Sequence, residues 1–201
     1  LQGGKLWRYC RHRNNRGRKR RAKEAGLGKI PNRVGIECRP QEIEDRATLG
    51  HWEGDTVLQG HKQSGMVTLV ERRSGYLLAG RLPQFTASQT AGTVIRLLKP
   101  IRGAAKTLTL DNGSEFAEHE QMAGELNLSA YFCDPYCSGQ RGTNENTNGL
   151  LRQYYPKGTN FAKLSQTHIN RVVEQLNNRP RKRLGYRTPA EVFWGEYSGP
   201  L

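Results

Sequence analysis

Metal-binding side chains are scarce in this chain of 201 residues, which has four cysteines and five histidines. Cys10 and Cys38 stand alone. Cys133 and Cys137 form one C-x3-C pair, with neither a second pair nor clustered histidines to complete four ligands. His12, His51, His61, His119 and His168 are scattered. A zinc site is not indicated, and the thiols read as the reduced cysteines of a cytoplasmic protein. Long hydrophobic runs are missing too: none approaches the roughly 20 residues needed to span a bilayer. A mean hydropathy of −0.79 and 25% charged residues agree, so no membrane association is expected. The opening Leu1-Gln2-Gly3-Gly4-Lys5 lacks the pattern of a secretory leader. The chain starts with Leu rather than Met, as a fragment of a longer protein would. Residues 1–23 contain no acidic side chain at all.

What is present is basic charge, unevenly placed. The net charge is +14 and the isoelectric point about 10.0. Residues 1–23 carry +10, residues 24–50 carry −1, residues 51–135 carry −1 and residues 136–201 carry +6. A near-neutral middle between two basic ends calls for a polyanionic partner, of which nucleic acid is the commonest. For the N-terminal arm, a merely solvated tail is the alternative. The length suits one domain plus an arm. A basic arm and linker is expected over residues 1–48 and a folded domain over residues 49–201.

Along the chain, Trp52 to Leu58, Met66 to Glu71 and Tyr76 to Leu82 are three short β-type runs, the last two joined by a Ser74-Gly75 hairpin signal. Thr86-Ala87-Ser88-Gln89 has capping-box form, and Ala91, Val94, Ile95 and Leu98 behind it share one helix face. Pro100 terminates that helix. Lys106 to Leu110 reads as a fourth strand, followed by a helix from about Ser114 to Leu126. Leu128 to Cys133 reads as a fifth strand. Gly142 to Tyr155 looks helical although Asn144, Asn146, Asn148 and Gly149 favour it weakly. Ile169, Val172, Val173 and Leu176 mark another helix ending near Arg179-Pro180, and Thr188-Pro189-Ala190-Glu191 is a strong helix start. A meander followed by right-handed crossovers predicts an α/β fold: a five-stranded mixed sheet with helices on both faces.

Three acids sit where acids need a reason. Asp55 lies inside the first strand, where period-two alternation places it on one face with Glu53. A charge on a central strand is costly unless it is paired or binds a metal. Asp111 ends the fourth strand and approaches Asp55 if strands one and four are neighbours; before Asn112-Gly113 it also suits a simple turn. Glu145 begins the polar helix, on one face with Asn148 and Arg152; alone it also suits a solvated helix. Clustered carboxylates repel, and Mg²⁺ resolves that conflict with oxygen ligands and substrate phosphate. Two such ions can clamp the attacking and leaving oxygens of an in-line phosphoryl displacement. Periodicity alone does not choose between Asp55 and Glu53.

At these residues the sequence resembles a known family. His51-Trp52-Glu53-Gly54-Asp55-Thr56-Val57, Leu69-Val70-Glu71-Arg72 and the run from Thr107 through Asp111-Asn112-Gly113-Ser114-Glu115-Phe116 look like the insertion-sequence 30 family of bacterial DDE transposases. So do Gln140-Arg141-Gly142-Thr143-Asn144-Glu145 with its continuation to Gln153, the run from Leu176 to Pro189, and in the arm Leu6-Trp7-Arg8 and Ile30-Pro31-Asn32-Arg33-Val34. The resemblance covers nearly the whole chain.

It implies a ribonuclease-H-like integrase core over residues 49–201. It puts the catalytic and metal-binding triad on Asp55, Asp111 and Glu145, the last two separated by the family's spacing of 33 residues. This likeness favours Asp55 over Glu53. It also implies two Mg²⁺ ions, for which Mn²⁺ can substitute. The expected chemistry is nicking at transposon ends, then attack of the freed 3′-hydroxyl on target DNA. The expected partners are DNA and further copies of the chain in a synaptic complex. The expected location is the cytoplasm, at the nucleoid when DNA-bound.

Candidate DNA contacts are Arg16, Arg18, Lys19, Arg20 and Arg21 in the arm, Asn148, Arg152 and Lys157 along the helix, and Arg181, Lys182, Arg183 and Arg187 near the C-terminus. The family's helix-turn-helix segments are not matched here, so the chain is expected to start at or just after them. Gly139 stands where the family usually has an aromatic residue, and Cys137 where Ser is more usual. A catalytically inactive DNA-binding remnant is the alternative reading, and a ribonuclease of the same fold a second.

Overall fold

The computed structural model describes residues 30–58, 64–135 and 137–197. Arg16, Arg18, Lys19, Arg20 and Arg21 lie outside the described residues.

The five expected strands form one sheet: β1 (His51–Leu58), β2 (Gly65–Glu71), β3 (Leu77–Leu82), β4 (Thr107–Leu110) and β5 (Ser129–Phe132), in the spatial order β3-β2-β1-β4-β5. The β1-β2-β3 meander is antiparallel, whereas β4 and β5 run parallel to β1. Parallel neighbours need crossovers, and α1 (Ala87–Leu98) and α2 (His119–Leu126) supply them. Three helices follow: α3 (Gly142–Tyr154), α4 (Gln166–Asn177) and α5 (Pro189–Glu196). Gly75, at φ 74°, makes the β2–β3 turn in the left-handed region.

Alternation along the strands divides the core in two. Trp52, Val67, Leu69, Leu82, Leu108, Leu110, Ala130 and Phe132 point to one face and pack with α1, α2 and Phe193 of α5. Val57, Met66, Val70, Leu77 and Ala79 point to the other and pack with Leu150 and Leu151 of α3 and Ile169, Val172 and Leu176 of α4. β1 is therefore covered on both sides. Its odd residues Glu53 and Asp55 face the α3 layer, and Gly54 faces the α1 layer. A Cβ at Gly54 would stand 2.7 Å from Leu110 Cδ2 and 3.4 Å from Leu108 Cδ1. The absent side chain at Gly54 is what lets the two β4 leucines cover β1.

The helix starts read from sequence are capped as expected. Thr86 accepts from the Gln89 amide, and Thr188 and Glu191 form a full capping box. The expected helix from Ser114 is interrupted. Residues Ser114–Phe116 form a 3₁₀ turn that drops Phe116 into the core, and the α-helix begins only at His119. It ends on Asn127 in the left-handed conformation.

α3 is helical against its own propensity, because the sheet holds it. The fully buried Glu53 carboxylate accepts from the Asn144 amide at 2.9 Å, so a β1 side chain caps α3. Asn144 returns its side-chain amide to the Glu53 carbonyl at 2.9 Å, and Thr68 of β2 donates to Asn144 Oδ1 at 3.2 Å. The other Glu53 oxygen accepts from Arg72 at 2.7 Å, and Arg72 also donates to Glu44 at 2.9 Å. Arg39 pairs with the same Glu44 and donates to Thr109 at 2.9 Å. A buried network therefore ties the 3₁₀ turn at Gln41–Ile43 and its flanks to three strands and to α3. Glu53, which periodicity could not separate from Asp55, is a structural ion.

Two substitutions test this arrangement. Glu53→Ala leaves Arg72 buried with only Glu44 as carboxylate partner, and should lower the unfolding free energy by about 3–5 kcal/mol in urea titration; a loss below about 1 kcal/mol would refute the structural role. Gly54→Val should cost about 1–3 kcal/mol by overpacking against Leu110, read by the same titration.

Candidate active site

The parallel register of β1 and β4 builds the site. Glu53 pairs with Thr109, and continuing that register by two residues sets Asp55 beside Asp111, on the same face. Adjacent strands lie about 4.8 Å apart, so two carboxylates are brought side by side at the carboxyl end of β4. Both reach one cation. Arg141, from the 3₁₀ turn Ser138–Arg141 that leads into α3, stands 3.4 Å from Asp55 and 3.2 Å from Asp111, and its Nη1 donates to the Gly54 carbonyl at 2.9 Å. Its side chain is only 12% exposed.

The remaining bonds fix both acids. Asp55 accepts from the Thr56 amide at 2.8 Å and from the Asn148 side-chain amide at 2.8 Å, and the one Thr68 hydroxyl proton is shared between Asn144 Oδ1 and Asn148 Oδ1, the latter at 3.1 Å. Asp111 spends one oxygen on the Gly113 amide at 3.1 Å, closing the turn, and turns the other to Arg141. Asp111 therefore closes the turn read from the sequence, and its second oxygen is left to face Arg141. Asn112 is held by the Cys133 carbonyl at 2.7 Å and by Arg33. Burial pushes the Asp55 carboxyl up from its usual range; Arg141 pulls it down and Asp111 pushes it up again. For Arg141, burial opposes the charged form, but Asp55 and then Asp111 outweigh it, and the net shift is upward.

Glu145 lies on the same stripe of α3. Arg141, Glu145, Asn148 and Arg152 follow one another at steps of three and four residues. Arg141 and Asn148, on either side of Glu145 along that stripe, both touch Asp55. The Glu145 carboxylate itself is exposed and makes no ion pair among the described residues. Among those residues, no three His, Cys, Asp or Glu side chains are gathered so as to hold a metal. The structure thus brings Asp55 and Asp111 together and leaves Glu145 outside that pair, on the same stripe of α3 at the solvent edge. Hard carboxylate oxygens on a partly desolvated aspartate pair, already drawn to one cation, fit an oxygen-liganded divalent ion.

Sequence reasoning missed three participants. Arg141 was visible only as part of a motif. Asn144 was read as a weak helix former, although an Asn at i and another at i+4 on one α3 face was the available signal. Glu115 accepts from Thr56 at 2.9 Å, and burial pushes its carboxyl up, with Asp111 and Asp55 adding to the shift.

Of the candidate DNA contacts, Asn148 is engaged with Asp55 and Thr68, and Arg152 reaches the Leu58 carbonyl at 3.4 Å. Lys157, Lys182, Arg183 and Arg187 are exposed, and Arg181 is half-buried. Cys133 is buried, which pushes its thiol up to about 11, and Cys38 and Cys137 are exposed free thiols. No helix among the described residues is long and apolar enough to cross a membrane.

Residues 45–138 match the integrase core domain. The chain is 42% identical over 192 residues to the transposase for insertion sequence element IS4351 of Bacteroides fragilis, covering 96% of this chain and 59% of that protein. It is 44% identical over 167 residues to the transposase for IS1086 of Cupriavidus metallidurans (83% and 49% covered). It is 43% identical over 171 residues to transposase InsI of IS30A from Escherichia coli K12 (85% and 44% covered). The chain spans about half the length of these relatives.

Among solved structures, it superposes on a chain of the simian T-cell lymphotropic virus intasome in complex with PP2A regulatory subunit B56 gamma. The TM-score is 0.59 at 19% identity, covering 75% of this chain and 55% of that one. It also superposes on the catalytic core domain of BIV integrase, with a TM-score of 0.55 at 22% identity, covering 74% and 95%. The sheet order and helix placement are therefore those of the ribonuclease-H-like integrase core. By fold and by these relatives, the chain is similar to transposases of the insertion-sequence 30 family and carries an integrase core domain.

Proposed function

We propose that this chain is the catalytic core of a DNA transposase that nicks transposon ends and joins the freed 3′-hydroxyl to target DNA. The observation that carries the reading is the convergence of Asp55 and Asp111, from neighbouring parallel strands, on a single cationic group. The family is divalent-metal dependent. Asp55 and Asp111 would hold two Mg²⁺ ions, or Mn²⁺ in their place, with Glu145 completing the set from α3. The bound ions supply activation of the attacking oxygen and stabilisation of the leaving oxygen. Asn148 orients Asp55, and the Asp111–Gly113 bond orients Asp111. Arg141 neutralises the aspartate pair and competes with the metal for the same oxygens. Arg152, Lys157, Lys182, Arg187 and the arm residues Arg16, Arg18, Lys19, Arg20 and Arg21 supply phosphate contacts, and further copies of the chain join in the synaptic complex. Such a protein works in the cytoplasm, at the nucleoid.

Asp55→Asn, Asp111→Asn and Glu145→Gln should each reduce Mg²⁺-dependent nicking and strand transfer on transposon-end DNA by more than about 100-fold, beyond what loss of a metal's outer hydrogen-bond partners costs. A variant that keeps the wild-type rate removes its residue from the set. Arg141→Gln should tighten Mn²⁺ binding about fivefold, the equivalent of releasing an ion pair worth about 1 kcal/mol. Electron paramagnetic resonance of free Mn²⁺ reads this; unchanged or weaker binding refutes the competition.

A further inference from the structure

The opposite flank of α3 carries a second feature that the metal chemistry does not use. Thr143, Asn146, Thr147 and Leu150, at steps of three, one and three residues, line a cavity of about 130 Å³ closed on its other side by Arg46, Arg181 and Arg183. At 3.6 residues per turn, these positions lie roughly half a turn around the helix from Arg141, Glu145 and Asn148. The cavity is thus on the far side of α3 from the aspartates. Its lining contains three guanidinium groups and no carboxylate. None of the three arginines forms a salt bridge among the described residues, whereas Arg39, Arg72, Arg73 and Arg141 all do.

The arginines are held in place without being neutralised. Arg181 donates to the Leu176 carbonyl at 2.9 Å and Arg183 to the Arg73 carbonyl at 2.8 Å. Each keeps further N–H groups for another acceptor. Burial disfavours the charged form of both; Arg179 and Arg183 add to this at Arg181, and Arg46 adds to it at Arg183. Glu71 and Glu53 offset part of this at Arg183, but among the described residues no carboxylate lines the cavity or forms an ion pair with its arginines. A second, independent sign lies on the helix. Thr143 is 8% exposed, lines the cavity, and its hydroxyl has no hydrogen-bond partner. A buried hydroxyl left unpaired is costly; this oxygen has under 1 Å² of accessible surface, and rotation of the side chain toward the cavity would let an oxyanion accept its proton.

We propose that Arg46, Arg181, Arg183 and Thr143 form a phosphate pocket that grips one phosphodiester of bound DNA, on the flank of α3 remote from Asp55 and Asp111. Three guanidinium groups, two of them held by backbone carbonyls, and a hydroxyl donor match the tetrahedral oxygens of a phosphate. The pocket anchors the DNA to the same helix that carries Glu145, so binding on one flank sets the position of the strand on the other. The inference rests on the chain acting on DNA, but not on the metal assignment.

The test uses the full chain and a mixed-sequence DNA duplex titrated over a series of salt concentrations. Arg183→Gln should weaken binding and make the log–log salt dependence shallower by up to about 0.9, the share of one phosphate on duplex DNA. Thr143→Val keeps shape and charge and should weaken binding about tenfold at unchanged salt slope, the loss of one hydrogen bond to a charged group. Thr143→Ser should restore it. Inorganic phosphate should stabilise the wild type saturably beyond chloride at matched ionic strength, and Thr143→Val should abolish that stabilisation.

Wild-type affinity in Thr143→Val, or an unchanged slope in Arg183→Gln, overturns the proposal. Stabilisation by free phosphate with an unaltered DNA slope also overturns it, since the pocket would then take only free oxyanions. Mn²⁺ binding should persist in every pocket variant. Its absence from the wild type would refute the metal reading and leave the pocket result standing.

Discussion

Two carboxylates set side by side on adjacent parallel strands repel each other, and much of this molecule is arranged around that repulsion. The register of β1 with β4 leaves no freedom: an aspartate two residues beyond Glu53 must lie beside one two residues beyond Thr109. A cation between them offsets that repulsion. In this structure that cation is a guanidinium, supplied by the turn that starts α3 and anchored to β1 through the Gly54 carbonyl.

β1 performs two electrostatic tasks on one face. Glu53 is fully buried and spends its charge on Arg72 and on the first turn of α3. Asp55, one step further along the strand, is partly exposed and spends its charge on Arg141 and Asn148. The two residues share a parity and a chemistry, and differ in where the strand leaves the covered centre of the sheet. Glu53 lies under the Arg39–Glu44–Arg72 network. Asp55 lies beyond it, where solvent can reach. Position along the strand, more than residue type, separates the buried structural ion from the accessible carboxylate.

α3 is the connecting element. Its N-terminal half is polar and held by side chains reaching across from β1 and β2, whereas Leu150 and Leu151 in its C-terminal half belong to the second core cluster. One flank turns Arg141 and Asn148 to the aspartates with Glu145 between them at the solvent edge, the sheet-facing side buries Asn144, and the far flank faces the arginine-lined cavity. A helix of such weak intrinsic propensity persists because tertiary bonds replace what its sequence does not supply. Its position depends on Glu53, so a change in the buried network would be felt at both flanks.

Local chemistry was sufficient for much of this. The alternation of β1 to β3, the apolar faces of α1 and α4, the Thr86 and Thr188 caps and the Ser74-Gly75 turn are properties of short segments, and a period of two or of 3.6 residues reports them directly. The likeness of the quoted motifs to a family pointed to Asp55, Asp111 and Glu145, and charge distribution alone pointed to a polyanion. What needed the folded chain were pairings between distant residues: Glu53 with Arg72 and Asn144, Arg141 with both aspartates, and Arg46 with Arg181 and Arg183 around Thr143. The interruption of the expected Ser114 helix belongs with them, since it is the core that draws Phe116 inward. Periodicity tells which side of an element a residue faces; only the packing of one element on another decides what it meets there.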